Sequence, residues 1–216
     1  MAITLQYASE LIERLQQASR LLAGFYQSIL PVLDQTAQKC GLNFYSWEPS
    51  AHVMDGQYWD KWKENNYVQP ASVSAWTFLP LHSFYQIYWK CKNENIANVG
   101  DVLAAFMLQT ENTTYPDQWA RSNVPPDPVK MASGQAVLEV FFFRCVSRKI
   151  KQNIVDLLWD TEDWNRTEGW QKVGVEALRG YYLNFDLAEF MVDPDKVVQA
   201  LTPFVDGTII PEPENN

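Results

Sequence analysis

The chain has 216 residues, 47% of them hydrophobic and 14% aromatic, including nine tryptophans, a composition that supports a sizeable core and excludes a disordered chain. Its formal net charge of −9 leaves too little clustered Lys and Arg for a broad nucleic-acid surface or for adsorption to anionic membranes, and would attract a basic protein partner. No stretch reads as a secretory leader or a membrane span, and Cys40, Cys91 and Cys145 are spaced like reduced thiols, so the expected setting is cytoplasmic.

Thr4 to Gly41 carries one long helical pattern. Ala8, Leu11, Leu15, Ala18, Leu22, Phe25, Ile29 and Val32 recur at alternating three- and four-residue steps, which keeps one seam of a helix facing a partner. Leu5, Ile12, Leu21, Leu30 and Leu33 widen that seam, and Glu10, Glu13, Arg14, Arg20 and several glutamines occupy the far side. Gly41 supplies the left-handed residue that closes a helix, while Pro31 predicts a kink or two helices in near-continuity. Two readings of this length compete. Either the helix covers its own domain, or the part before Gly24, with Ala8, Leu11, Leu15, Ala18 and Leu22 as the oligomer interface, projects as an arm that meets a second copy or another protein.

A short strand is expected over Leu42 to Trp47, stopped by Pro49, and a polar helix over Gln57 to Asn66 bearing Tyr58, Trp59 and Trp62. Ser72 to Leu79 and Phe84 to Lys92 alternate as an antiparallel hairpin. Asn98 is placed to cap a helix running to Gln109, with Asp101 in its first turn. Glu111 to Ser133, rich in proline, reads as a long irregular connection. Ala136 to Ser147 is apolar enough to be the central strand, covered on both faces, followed by a helix over Arg148 to Trp159 that turns Ile150, Ile154, Val155, Leu157 and Leu158 inward. Asp160 to Gln171 reads as an acidic, tryptophan-bearing loop. Val173 to Arg179 fits strand or helix, Tyr181 to Leu187 fits a strand, and Asp193-Pro194 starts a helix over Asp195 to Phe204. Residues 205–216 read as a frayed acidic tail. Together these elements predict one α+β domain over 1–216, with the long kinked helix and several shorter ones packed on one side of an antiparallel sheet of about four or five strands.

The chemistry-bearing residues are few. His52 and His82 are the two histidines, and with three scattered cysteines they make no zinc pattern; no phosphate-binding or dinucleotide glycine motif and no nucleophile elbow occur, so neither metal nor cofactor is expected. The weak catalytic candidates are His82, Asp127 and Glu139. Asp127 with Glu139 resembles the acid pair of restriction-type nucleases, but Phe141 stands where those enzymes need a lysine, and Glu139 also fits a buried acid paired with Arg144 or Arg148. An acidic-aromatic set offers a binding face instead: Trp59 and Trp62 with Asp160, Glu162, Asp163, Trp164, Glu168 and Trp170, its tryptophans as anchors and its acids steering a basic partner. The favoured reading of the same residues is structural, with the tryptophans as plugs at the edges of a core and the acids facing water. The favoured function is a non-enzymatic cytoplasmic protein-binding or regulatory protein of inhibitor or immunity type. The alternatives are a hydrolase or transferase with a dispersed active site, and a structural subunit of a larger assembly.

Overall fold

In the computed structural model of the protein, the described residues are 4–49, 84–110, 134–147, 152–159, 166–167, 169–173 and 176–210. The opening pattern forms a single helix, α1 (Leu5–Lys39), roughly 50 Å long and undivided at Pro31. Ile29 and Leu33 anchor the helix on either side of that proline and are fully buried, so the one backbone bond that proline forfeits lies in a segment held from outside. Thr4 caps the start by accepting from the Tyr7 amide, and Gly41, at φ 76°, lets the chain turn out of the helix while the Leu42 amide donates back to the Ala37 carbonyl.

Among the described residues six strands follow, with two short helices and a longer one between or after them. In chain order they are β1 (Asn43–Pro49), β2 (Phe84–Lys90), β3 (Val102–Gln109), β4 (Val137–Cys145), α2 (Ile154–Trp159), β5 (Trp170–Lys172), β6 (Leu178–Asp186), α3 (Leu187–Val192) and α4 (Asp195–Asp206). The strands make one antiparallel sheet in the order β1-β2-β3-β4-β6-β5, so the fold is α+β as the sequence indicates, with six strands in place of four or five. Two of the six were not expected as strands: β3, and the three-residue edge strand β5, which takes Trp170 and Gln171 out of the expected acidic loop.

β3 and β4 lie at the centre, and their side chains alternate between two cores. Val102, Ala104, Phe106 and Leu108 with Leu138, Val140 and Phe142 face the second half of α1, α3 and α4. Leu103, Ala105 and Met107 with Phe141, Phe143 and Cys145 face the opposite way, where α2 brings Ile154, Val155, Leu157 and Leu158. Helices therefore cover both faces of the sheet, not one. On the first face the rings of Phe142, Trp170, Tyr181 and Phe204 stack edge to face or tilted, with centroids 4.6 to 6.2 Å apart.

Several sequence expectations change. The helix expected from Asn98 to Gln109 is strand β3: all eight of its residues are buried, and an unbroken apolar run lacks the polar stripe that separates a helix from a doubly covered strand. Asp101 does not cap a first turn but accepts from the amides of Lys92 and Asn98 at 3.1 and 2.8 Å, fastening the loop that leads into β3. Within the span expected as a helix from Arg148 to Trp159, the described helix is confined to Ile154–Trp159, opened by the Asn153 side chain accepting from the Asp156 amide. β2 forms as expected and pairs with β1 and β3; its expected hairpin partner, Ser72 to Leu79, lies outside the described residues, as do Gln57 to Asn66 and Glu111 to Ser133. Val205 and Asp206 belong to α4 and not to a frayed tail, since Val205 is buried and Gly207, at φ 85°, ends the helix.

Phe142 is fully buried and sits between Trp170 and Phe204. Phe142→Ala should therefore lower the free energy of unfolding by about 3–5 kcal/mol, read from the urea midpoint at constant m-value.

Candidate functional site

Two features stand out from the body of the fold. The first is the free half of α1. Seven-residue steps from Ala8 pass through Leu15 and Leu22 to Ile29 and Thr36, so one face runs the whole length of the helix. Ile29, Leu33, Thr36 and Ala37 are buried, yet no described residue before Ile29 is. Leu11 is 54% exposed, Leu15 65% and Leu21 77%; Ala18 is also exposed, while Ala8 and Leu22 are half-buried. An apolar seam on the same side as the buried one thus continues beyond the domain without being covered.

The second feature is a buried polar cluster on the α2 face of the sheet. Glu139 is 1% exposed. Its Oε1 accepts from the Tyr182 hydroxyl at 2.7 Å and from Arg166 Nε at 2.9 Å, and its Oε2 accepts from Gln109 Nε2 at 2.9 Å and from Arg166 Nη2 at 3.4 Å. The sheet register produces this meeting. Met107 is opposite Glu139 and Tyr182 opposite Phe141, so Gln109 and Tyr182 are diagonal neighbours of Glu139 on one face. The Arg166 guanidinium lies 5.4 Å over the Phe141 ring and reaches Glu139 from outside the strands. Sequence pairing of Glu139 with Arg144 is not realised, because residues five apart on a strand point to opposite faces. Arg144 instead donates to the Phe204 carbonyl at 2.8 Å, near the end of α4. Arg148 lies outside the described residues.

These hydrogen bonds engage both oxygens of the carboxylate, and the group is sealed from solvent, so the arrangement acts as a tie between strands and the Arg166 segment. Gln109 Oε1 is buried without a hydrogen-bond partner among the described residues, so that end of the amide carries a desolvation cost that its bond to Glu139 offsets. Nothing in the sequence around Gln109, Arg166 or Tyr182 announced them. The one available signal was that a tyrosine hydroxyl on a buried strand position needs an acceptor.

Of the remaining candidates, His82, Asp127, Trp59, Trp62, Asp160, Glu162, Asp163, Trp164 and Glu168 lie outside the described residues. Trp170 packs its ring among Phe142, Tyr181 and Phe204, the arrangement of a plug at the edge of a core. No group of His, Cys, Asp and Glu suited to a metal ion occurs among the described residues, nor does any helix there have the length and apolarity to cross a membrane. A depression of about 200 Å³ between β6, α3 and α4, lined by Asn184, Asp186, Glu189 and Lys196 among others, is smaller than ordinary ligand pockets. The thiols are poor nucleophiles: burial raises all three, and Cys91, with Asp101 and Glu94 nearby, is pushed up to about 12.

An α+β protein with a six-stranded sheet and a partly uncovered helical seam is thus the class that the geometry defines. The chain belongs to the family described as PM0109, whose model matches residues 8–206 and so spans both the seam and the sheet. No curated protein and no solved structure matches the chain.

Removing Arg166 would leave Glu139 buried without that countercharge. Arg166→Ala should cost about 2–4 kcal/mol, discounted for the partial exposure of the arginine, and Tyr182→Phe about 1–2 kcal/mol; chemical denaturation of the two single variants and the double variant checks both, with a coupling between them expected. Because a raised thiol pKa means little thiolate at pH 8, Cys40, Cys91 and Cys145 should resist iodoacetamide in the folded protein and react once it is unfolded in guanidinium, as followed by intact mass.

Proposed function

We propose that this is a non-enzymatic protein-binding protein, cytoplasmic in setting, whose contact surface is the free half of α1. The observation that carries the reading is the change of environment along one seam: buried from Ile29 onward, uncovered at Leu11, Leu15 and Ala18. A soluble helix that leaves this many large apolar side chains in water on a single face is built to cover them against another polypeptide. The three free cysteines support a reducing compartment. Regulation or inhibition by sequestering a basic protein is a compatible role, supported by the net charge of −9. The closed hydrogen bonding of Glu139 favours a binding role over hydrolysis at that residue.

The experiment asks whether the seam belongs to the domain's own core. Leu11→Glu combined with Leu15→Glu should leave the tryptophan near-ultraviolet signal unchanged, and the unfolding free energy within about 0.5 kcal/mol, under dilute conditions. A loss of several kcal/mol would mean that the chain covers this seam itself, and the contact role would be wrong.

A further inference from the structure

Resting on the contact role of the seam, we infer that its occupant is a second copy of this chain, paired antiparallel so that Leu11 of one copy lies opposite Leu22 of the other. The argument comes from side-chain sizes along the seam. The alternating positions are Ala8, Leu11, Leu15, Ala18, Leu22 and Phe25. In a parallel pair each residue meets itself, so Ala8 and Ala18 form two underfilled layers while Phe25 meets Phe25 in an overfilled one. In the antiparallel register that sets Leu11 against Leu22, Ala8 faces Phe25 and Leu15 faces Ala18. Every small residue then meets a large one, and the layers differ less in volume than the Ala–Ala and Phe–Phe layers of a parallel pair.

Charge points the same way. The whole chain carries −9, but between Thr4 and Gly24 the charged residues are Glu10, Glu13, Arg14 and Arg20, two of each sign. A locally neutral arm approaches its own copy without repulsion at the contact, and offers a basic partner no net countercharge there beyond the long-range attraction of the whole chain. The pairing is also continuous with the established core. Phe25 is half-buried against the residues that pack on the sheet, and its remaining surface meets Ala8 of the second copy, which brings the start of each helix to the other's domain. Overlap from Ala8 to Phe25 spans about 25 Å of helix, enough for six layers.

The test uses the full chain. Sedimentation equilibrium should give twice the 24.9 kDa mass of one chain. Leu11→Glu with Leu15→Glu should weaken association by at least about 100-fold. Mild oxidation of a mixture of Leu11→Cys and Leu22→Cys chains should link one variant to the other, while neither alone links to itself. Raising salt from about 0.05 to about 0.5 M should hold or tighten the dimer, because two acidic bodies repel less when screened; a basic partner would be released. A single-chain mass at all concentrations overturns the second copy as occupant, and self-linking of Leu11→Cys overturns the orientation. Neither result touches the contact role itself, which stands or falls on the unfolding free energy of the two-glutamate variant.

Discussion

The structure depends on one constraint: β3 and β4 are apolar on both faces and must be shut away from water entirely. Val102 to Leu108 and Leu138 to Phe143 are all buried. Their backbone N–H and C=O groups go into that dry interior with them and need partners along both edges of each strand. β3 is hydrogen-bonded by β2 and β4, and β4 by β3 and β6, so the pair is satisfied on every side. Two faces of apolar side chains then need two covers, which divides the helices between the sides: α1, α3 and α4 on one, α2 on the other. Glu139 is the exception inside this interior. A lone carboxylate there would be very costly, and the convergence of Arg166, Tyr182 and Gln109 on its two oxygens is what makes the position tolerable.

That constraint also explains what could be read from the chain. β1, β2, β4 and most of β6 were legible, because their aromatic and branched residues either alternate or form a run flanked by breakers, and Asp193-Pro194 correctly opened α4. β3 was misread because a strand buried on both faces has no periodicity, and Asn98 with Asp101 supplied a plausible helix start that in fact fastens a loop. The partners of Glu139 were illegible for a different reason. Arg166 is 27 residues away in sequence and joins the acid only through tertiary packing. The failure of Arg144 as a partner, by contrast, was already contained in strand parity.

The two halves of α1 show where pattern reading ends. Ala8, Leu15, Leu22, Ile29 and Thr36 share one face, yet the last two are buried on the sheet and Leu15 stands in water. Periodicity encodes which side of a helix is apolar and is silent about what covers it. The sheet nevertheless shapes the free half. An isolated helix of some 20 residues is marginal in water because its first turn must nucleate unaided, but here Ile29, Leu33 and Ala37 are pinned on the core and supply that nucleus. Helix then propagates from Ile29 back toward Thr4, where the Thr4 side chain closes the end. The free half is therefore held helical by the fold itself, and the ordering cost that a flexible segment would carry has already been met by the same buried strands that demanded α1 as their cover.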